Sequence, residues 1–372
     1  MAKWIKCKIK DIGSVVGGAT PSTKKEENYL NGKIAWITPK DLSNFRGRYI
    51  GQGERNITET GMNSCSTQLL PVNTVLFSSR APIGYVAIAA NEVCTNQGFK
   101  SVIPNENINP MFLYYLLKYN KDKIENMGSG TTFKEVSGTT MKNIVVSVPA
   151  NIKEQEKIAC ILDTIDNKIE ENERINNNLE QQAQAIFDNM FPNISNGSCA
   201  IGDYITPKRG KSLLSKNAIF GDVPVIAGGL EPSTYHNVAN TQSPVLAISA
   251  SGANAGYVSL WNIPIWSSDS SYIDSSMTDD VCFWYVLLKK RQKEIFDAQT
   301  GSAQPHIYPQ HIASMSVSNL DIEEVHSYTS IVTPIFEIIG HHKEENTRLA
   351  SLRDTLLPRL MSGELDVSNI DL

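Results

Sequence analysis

The chain carries a loose internal repeat, with corresponding segments about 170 residues apart. The segment VLFSSRAPIGYVAI (75–88) matches VLAISASGANAGYVSL (245–260), since each predicts a strand, a loop of small residues and a Gly-Tyr-Val continuation. Residues 130–149 match residues 301–320, where a glycine and a polar turn precede a short helical stretch and an alternating strand. Two loosely matching copies of this size predict two globular α/β units with a pseudo-twofold relation, not a solenoid.

Upstream of these matches the offset grows to about 190 residues. IKDIGSVVGG (9–18) aligns with IGDYITPKRG (201–210), and KIAWIT (33–38) aligns with DVPVIA (222–227). The first copy therefore contains roughly 20 extra residues between its Trp36 strand and Val75.

Each copy is followed by a helical pattern with a heptad repeat. In the first pattern the repeat runs through Ile158, Ile165, Asn172, Leu179 and Ile186, and beside them through Leu162, Ile169, Asn176, Ala183 and Met190. In the second it runs through Ile335, His342, Leu349 and Leu356, and beside them through Val332, Ile339, Asn346, Arg353 and Leu360. Such a stripe of a and d positions predicts a coiled-coil seam.

Polar residues interrupt both stripes in the same layer, at Asn172 and Asn176 in the first helix and at His342 and Asn346 in the second. A buried polar layer weakens a seam but fixes its register, because a slip would set asparagine against leucine. If the two helices pair with each other, these four side chains lie near the middle and satisfy one another. The alternative is that they face solvent at a break in the stripe.

The bulk properties are those of a globular protein. A chain of 372 residues is long enough for two domains, each with its own core. The opening MAKWIKCKIKDIG has no apolar stretch of the kind found in signal peptides, and no run approaches the roughly 18 apolar residues of a membrane span. The six cysteines are scattered without a C-x-x-C pair, which fits reduced thiols. We therefore expect a cytoplasmic protein that does not contact a membrane.

The net charge of −5 hides an uneven distribution. Residues 1–150 hold 18 Lys and Arg against 11 Asp and Glu, and residues 192–320 hold 8 against 9. The acidic excess lies on residues 151–191, with 4 against 9, and on residues 321–372, with 4 against 10. The first globular stretch is therefore basic, whereas both helical stretches are acidic.

The common catalytic signatures are absent from the sequence. Gly210-Lys211-Ser212 resembles the end of a phosphate loop, but Ile205 stands where that loop requires its first glycine. The chain has no G-x-S-x-G, no H-E-x-x-H and no Asn/Asp-Pro-Pro-aromatic sequence. His341, His342 and Glu345 have a spacing compatible with a metal site, although a structural histidine pair is the favoured interpretation. These absences predict a binding protein without a catalytic site or a bound metal.

In the first unit, basic and amide side chains cluster on predicted loops. Arginine and lysine read guanine, asparagine and glutamine read adenine, and lysines neutralise phosphates. Any one of these residues is as readily explained as solvated surface, but the cluster favours double-stranded DNA. The candidate DNA-binding residues are Lys24, Lys25, Lys40, Arg46, Arg48, Arg80, Asn96, Gln97 and Lys134, with Arg55, Lys100, Phe45 and Tyr49 nearby.

The second unit offers a smaller set of candidates. Its basic residues are concentrated in PKRGKSLLSK (207–216), and SASGANAGY (249–257) is small enough to approach a groove closely. Runs of small polar residues are more often plain turns. The candidate DNA-binding residues are Lys208, Arg209, Lys211, Lys216, Ser251, Asn254, Gln304 and His306.

Three sequence stretches point to a known family. They are the EQ-x-x-IA-x-IL run (154–162), the N-x-x-L-E-x-x-A-x-x-I-F run (176–187) and the closing LLPRLMSGEL (356–365). With the repeated unit-plus-helix plan, they resemble the specificity subunit of type I restriction–modification enzymes. The resemblance covers essentially the whole chain, but in the variable recognition units it is mainly architectural.

The resemblance implies an α+β protein with two α/β target recognition domains, at residues 1–150 and 192–320. A central helix at 151–191 and a C-terminal helix and tail at 321–372 would pair as an antiparallel coiled coil with pseudo-twofold symmetry. Each domain would read half of an asymmetric bipartite DNA target. The paired helices would set the spacer and dock the modification subunits.

The resemblance also implies partners that supply the chemistry. The chain itself would be non-catalytic and bind no cofactor. Two modification subunits would carry S-adenosylmethionine and methylate adenine, and restriction subunits would use ATP and Mg²⁺ for cleavage. One departure is that Val325 stands where Gln155 stands in the first copy, which leaves open whether both helix ends dock partners equally. A second hypothesis remains, namely a coiled-coil scaffold that binds proteins rather than DNA.

Overall fold

The structure is a computed structural model and describes residues 3–43, 45–130, 134–301, 304–368 and 370. Backbone contacts divide the chain into two compact units. The first unit comprises Met1–Glu171 and Asn346–Leu372, and the second comprises Asn172–Glu345. The second unit is thus continuous in sequence, whereas a later segment of the chain completes the first.

The globular part of the first unit alternates short strands with short helices. Its strands are β1 (Trp4–Lys8), β2 (Gly13–Gly17), β3 (Ile34–Ile37), β4 (Tyr49–Ile50), β5 (Arg55–Ile57), β6 (Val75–Ser79), β7 (Ile83–Ala89), β8 (Val93–Thr95), β9 (Lys100–Pro104) and β10 (Val145–Pro149). Its helices are α1 (Ile9–Ile12), α2 (Pro39–Ser43), α3 (Glu59–Asn63), α4 (Pro110–Tyr119), α5 (Lys121–Asn126) and α6 (Gly138–Asn143). The chain then enters the long helix α7 (Ile152–Met190), whose residues up to Glu171 belong to this unit.

These strands form a five-stranded sheet in the order β2-β9-β6-β7-β4, a three-stranded sheet in the order β5-β3-β8 and the antiparallel ribbon β1–β10. Strand β6 is buried along its whole length, as the apolar run VLF at its start requires. Helix α4 buries every residue from Phe112 to Leu117 in the same core. Its first turn is capped by the Asn109 side chain, which accepts a hydrogen bond from the Phe112 N–H at 3.0 Å.

The globular part of the second unit repeats this plan. Its strands are β11 (Cys199–Ala200), β12 (Lys208–Arg209), β13 (Val223–Ile226), β14 (Thr234–His236), β15 (Val245–Ser249), β16 (Val258–Trp261), β17 (Trp266–Ser267), β18 (Ser270–Asp274) and β19 (Ser316–Val317). Its helices are α8 (Val281–Lys290), α9 (Gln292–Asp297) and α10 (Pro309–Ala313), followed by the long helix α11 (Ile322–Met361), whose residues up to Glu345 belong to this unit. The sheets have the orders β12-β18-β15-β16 and β14-β13-β17, with the ribbon β11–β19.

The two topologies correspond in every strand except β4, which confirms the predicted repeat. Strands β2, β9, β6 and β7 of the first unit match β12, β18, β15 and β16 of the second, in the same sheet order. The Gly-Tyr-Val signature has a structural cause, because Gly84 and Gly256 both adopt a positive φ, of 98° and 87°. The extra residues of the first copy contain α2, β4 and α3, which have no counterpart among the described elements of the second unit.

Within each unit, a segment of α7 pairs with a segment of α11 in antiparallel fashion. In the first unit, Asp166 forms an ion pair with Arg353 at 2.8 Å, and the Ile169 carbonyl accepts a hydrogen bond from the Asn346 amide at 3.4 Å. In the second unit, Asn176 bonds His342, and the Ala183 carbonyl accepts from the Tyr328 hydroxyl at 3.0 Å. In both segments the numbering rises along α7 as it falls along α11.

The predicted heptad stripes form the buried faces of these segments. None of the stripe residues is exposed, and Ile158, Leu162, Ala183, Val332 and Ile339 are almost completely buried. They join the main cores, because the apolar face of each helix segment also packs against the globular part of its own unit. Among the described residues, no helix is both long enough and apolar enough to cross a membrane.

Candidate nucleic-acid interface

The loops of the first unit that carry most of its candidates converge at one end of its two larger sheets. Backbone hydrogen bonds join Ala19 to Thr95, Asn96 to Ile37 and Ser79 to Gly98, each at 2.7–3.0 Å. Val136 in turn bonds Ser79. This surface, which we call the first rim, consists of residues 18–25, 38–43, 79–80, 95–100 and 134–136.

Lys24, Lys25, Lys40, Gln97 and Lys134 are exposed on the first rim or on segments that begin there. Lys25 lies 3.6 Å from Glu27 and Lys40 lies 2.7 Å from Glu54, whereas Lys24 and Lys134 have no acidic partner among the described residues. Exposed ion pairs of this kind contribute little to stability and are readily exchanged for a phosphate partner. The rim therefore presents cationic side chains to solvent.

Arg80 and Asn96 are half-buried on the first rim and already have polar contacts. The Arg80 guanidinium lies 3.6 Å from the Glu135 carboxylate, and Lys100 approaches the same carboxylate at 3.4 Å. The Asn96 side-chain oxygen accepts a hydrogen bond from the Gly98 N–H at 2.8 Å, and the Gln97 side chain bonds the Thr20 hydroxyl. Glu135, which the sequence analysis did not select, is therefore the polar centre of the rim.

The structure contradicts the assignment of Arg48 to DNA binding. Arg48 is only 4% exposed, and its guanidinium bonds the Asp163, Asn167 and Glu170 side chains of helix α7. Burial alone would lower the pKa of Arg48, but the bond to Glu170 and the charges of both carboxylates raise it, so the side chain remains cationic. Its charge is neutralised inside the unit and is not available to a phosphate. Arg46 is exposed and lines a groove together with Leu42, Gly84 and Lys118.

All candidates of the second unit except Lys216 gather at the equivalent end of its sheets. Lys211 bonds the Ser267 carbonyl, Ala250 bonds Asp269 and Gly252 bonds Pro305, all through their backbone N–H groups at 2.9–3.1 Å. We call this surface the second rim, and it consists of residues 208–213, 249–254, 267–270 and 304–306. Lys208, Arg209 and Lys211 are exposed on it.

Asp269 is the polar centre of the second rim and was also missed by the sequence analysis. It accepts a hydrogen bond from Arg209 at 2.6 Å and another from the Ser251 hydroxyl. Ser251 pairs through its backbone with His306, whose ring stacks on Tyr308 at a centroid distance of 5.9 Å. Gln304 is exposed beside them, whereas Asn254 is half-buried and its carbonyl accepts the Tyr257 N–H.

The two rims place unlike side chains at equivalent backbone positions. In the first unit an isolated bridge joins Arg80 to Glu135, and in the second the corresponding bridge joins Ser251 to His306. A second isolated bridge also repeats: Ser129 pairs with Glu135 in the first unit, and Thr300 pairs with His306 in the second. The same scaffold therefore carries a charged pair in one unit and a hydroxyl with an imidazole in the other.

A further feature of the second unit is an exposed apolar tip on the loop after β12. Phe220 is 97% exposed, and Ile219 and Leu214 are exposed beside it. Lys216 is exposed on the same loop, in a short 3-10 turn. Apolar side chains that are exposed next to one another often mark an interaction site, so this tip is a further candidate contact.

The polar residues of the helix seam lie where the heptads place them, with partners that differ from the expected set. Asn172 is fully buried and donates to the Glu345 carboxylate at 2.7 Å, and Asn176 bonds His342 at 2.8 Å. Glu345, rather than another asparagine or histidine, is thus the acceptor for Asn172. In the first unit, the Asn346 side-chain amide donates to the Ile169 backbone carbonyl at 3.4 Å.

Gln155, in the EQ-x-x-IA-x-IL run, has a structural role. It is 1% exposed, its oxygen accepts the Asn109 N–H at 3.0 Å, and its amide nitrogen donates to the Asn107 and Pro149 carbonyls. It therefore ties the start of α7 to the end of β10 within the first unit. At the equivalent position Val325 is buried in the core of the second unit, so this difference concerns internal packing rather than a surface for a partner.

Comparison with known proteins places these features in a family. A family model described as the type I restriction modification DNA specificity domain matches residues 1–181. The MjaIX specificity subunit of Methanocaldococcus jannaschii is 32% identical over 410 residues, covering 99% of this chain and 94% of that protein. The EcoR124I/EcoR124II specificity subunit of Escherichia coli is 33% identical over 166 residues, covering 42% of this chain and 40% of that protein.

A solved structure agrees with the fold. The S subunit of a type I restriction–modification system from M. genitalium aligns over 97% of this chain and 96% of its own length, with a TM-score of 0.63. Its sequence identity to this chain is 20%, so the match supports the architecture alone.

Proposed function

The chain belongs to the family of type I restriction–modification specificity subunits, and on that premise we propose that it reads an asymmetric, two-part DNA target. The observation that carries the proposal is the contrast between the two rims. Because Arg80 and Glu135 in one unit correspond to Ser251 and His306 in the other, the two units present different donors and acceptors on the same backbone. Different donors and acceptors select different base edges in the major groove.

In this proposal each unit reads one half-site and the long helices set the gap between them. Helix α7 spans 39 residues, and at 1.5 Å per residue it is about 58 Å long, which exceeds the roughly 34–36 Å of one DNA turn. The buried bonds of Asn172 and Asn176 support a fixed register, because a slip would leave their amides and the Glu345 carboxylate facing apolar neighbours.

We further propose that the chain is non-catalytic, binds no cofactor and acts in the cytoplasm. Two modification subunits, carrying S-adenosylmethionine, would methylate the target, and restriction subunits would supply ATP- and Mg²⁺-dependent cleavage. The comparisons lend no support to the alternative interpretation as a scaffold that binds only proteins. That alternative is distinguished by DNA binding at low salt, where phosphate contacts are strongest.

The first test is methylation mapping in a host with and without this gene. We expect one new motif with two different half-sites and a constant spacer. A palindromic motif, or no new motif in the presence of the modification subunit, would contradict the proposal.

The second test measures DNA affinity of the assembled complex against salt concentration. Replacing Lys24 and Lys25 with alanine should reduce the slope of log K against log salt by about 2, since each lost phosphate contact removes about 0.9 from the slope. The control is Lys153→Ala on the exposed face of α7, which should leave the slope unchanged.

A further inference from the structure

A groove in the first unit opens between the ribbon β1–β10, the junction of α4 with α5, and the end of α11. Its volume is about 480 Å³, and we call it the basal groove. Leu116 lies buried in its wall, while Tyr119 and Val145 line it and remain 40% and 45% exposed. A concave surface with exposed apolar side chains of this size is suited to hold apolar side chains of another molecule.

The basal groove is also cationic. Lys6 from β1 and Lys123 from α5 line it, and none of the described residues in its lining is acidic. The Lys123 ammonium donates to the Val145 carbonyl at 2.5 Å, and neither lysine has a carboxylate partner among the described side chains. The groove therefore offers two positive charges beside an apolar wall, and a ligand that complements it carries carboxylates next to apolar groups.

The equivalent place in the second unit is closed. Arg291 and Glu294 occupy the positions that correspond to Asn120 and Lys123, at the same offset as the other repeat matches. Arg291 is only 7% exposed, donates to the Ser316 carbonyl at 2.6 Å and pairs with Glu294 through two bonds of 2.6 and 2.7 Å. The Arg291–Glu294 ion pair occupies the place that matches the basal groove, and the two charges neutralise each other.

The ribbon of the second unit also lacks the matching lysine. Cys7 pairs with Val146 in the first ribbon, and Cys199 pairs with Val317 in the second. The residue before each cysteine is thus Lys6 in one unit and Ser198 in the other. A cationic groove of this kind is therefore present in the first unit and has no equivalent at the matching place in the second.

We infer that the basal groove docks an acidic segment with apolar side chains from a partner protein, at one site per chain. A DNA backbone would satisfy the two lysines, but it would leave the wall formed by Leu116, Tyr119 and Val145 without a complementary surface. The identification of the partner as the modification subunit rests on the proposed function. The groove would then make the two partner positions unequal, with one copy held by an additional charged contact.

The test is the assembly of the full chain with its modification subunit, measured by titration calorimetry and light scattering. The variant Lys6→Glu/Lys123→Glu should weaken the tighter binding step at least 10-fold and leave the weaker step unchanged. The variant Asn120→Arg/Lys123→Glu copies the closed arrangement of the second unit and should have the same effect. Tyr119→Ala should weaken the same step without changing its salt dependence.

The matched control is Lys24→Glu/Lys25→Glu, which reverses two charges on the first rim and should leave partner binding unchanged. Each variant is accepted only with an unchanged melting temperature of the free chain, and Lys123→Gln replaces Lys123→Glu if that temperature falls. Unchanged partner affinity in both groove variants would overturn the inference. Weaker DNA binding by the free chain, with partner assembly intact, would overturn it too and assign the groove to DNA. If the chain binds no DNA but the groove variants still lose the partner, the proposed function fails and the inference stands.

Discussion

Replacing Arg48 with alanine should destabilise the first unit specifically. Arg48 lies in the extra segment of the first copy and carries the contact of that segment with helix α7, through Asp163, Asn167 and Glu170. Removing one partner of a buried ion pair costs about 3–5 kcal/mol when the remaining charge stays buried. Here the remaining carboxylates are 30% and 37% exposed, so water recovers part of their solvation. We therefore expect a loss of about 2–3 kcal/mol.

The assay is equilibrium and thermal unfolding of the full chain, followed by tryptophan fluorescence in two backgrounds that keep only Trp36 or only Trp284 of the five tryptophans. Trp36 lies in the core of the first unit, and Trp284 lies in the core of the second. A loss of this size lowers the melting temperature of a domain of 150–250 residues by about 5–10 °C. The transition reported by Trp36 should therefore move, whereas the one reported by Trp284 should not.

Arg46→Ala is the matched control, because it removes the same side chain two residues earlier, where that side chain is exposed. It should change the stability by less than about 0.5 kcal/mol. If Arg48→Ala and Arg46→Ala behaved alike, the guanidinium would not hold the extra segment on the helix. A double-mutant cycle with Glu170→Ala should return a coupling energy of about 1–3 kcal/mol, and additivity would refute the same reasoning.

Three further perturbations test separate parts of the structure. Gly84→Ala and Gly256→Ala should each destabilise their own unit by at least about 1–2 kcal/mol in thermal melts, because both positions have a positive φ and their added Cβ atoms would meet side chains at 2.5 and 2.8 Å. Burial raises the pKa of the Cys94 thiol from 9.0 to about 11. The contribution of this thiol to the free energy of unfolding is therefore fully present below about pH 9 and is lost as the pH rises from 9 to 11. In urea titrations Cys94→Ser should reduce this loss of stability, whereas Cys160→Ser at an exposed site should not. Phe220→Ala should weaken binding of cognate DNA several-fold with no change in melting temperature, and an unchanged affinity would remove the exposed tip from the interface.

The architecture was predictable because its signals are periodic and local. Heptad spacing predicted which faces of α7 and α11 are buried, and the repeat of Gly-Tyr-Val predicted two related sheets. In each repeat the glycine is required by a positive φ, so the signature reflects backbone geometry that only the same fold would impose twice. Strand order and the identity of the sheets required long-range pairing, which no local pattern encodes.

The details of the site were less predictable, because exposure and pairing depend on residues far away in the sequence. Arg48 looked like its neighbour Arg46, yet its partners are separated from it by 115 to 122 residues. Glu135 and Asp269 are absent from the predicted DNA-binding residues, although each contacts candidate residues of its rim. The repeat itself points to Glu135, since the equivalent residue His306 is one of the predicted DNA-binding residues.

Equivalent positions of the two units either keep the same residue or differ, and the role of the side chain accounts for which of the two occurs. Positions that set the backbone, such as Gly84 and Gly256, keep the same residue in both units because any side chain would strain the turn. Two pairs of equivalent positions with solvent-accessible side chains differ in charge: Arg80 against Ser251 on the rims, and Lys123 against Glu294 at the base. Divergence at the rims would let one scaffold read two half-sites, and divergence at the base would let it distinguish two copies of the same partner. Exchanging the rim residues should therefore alter the DNA motif without altering assembly, while exchanging the basal residues should do the reverse.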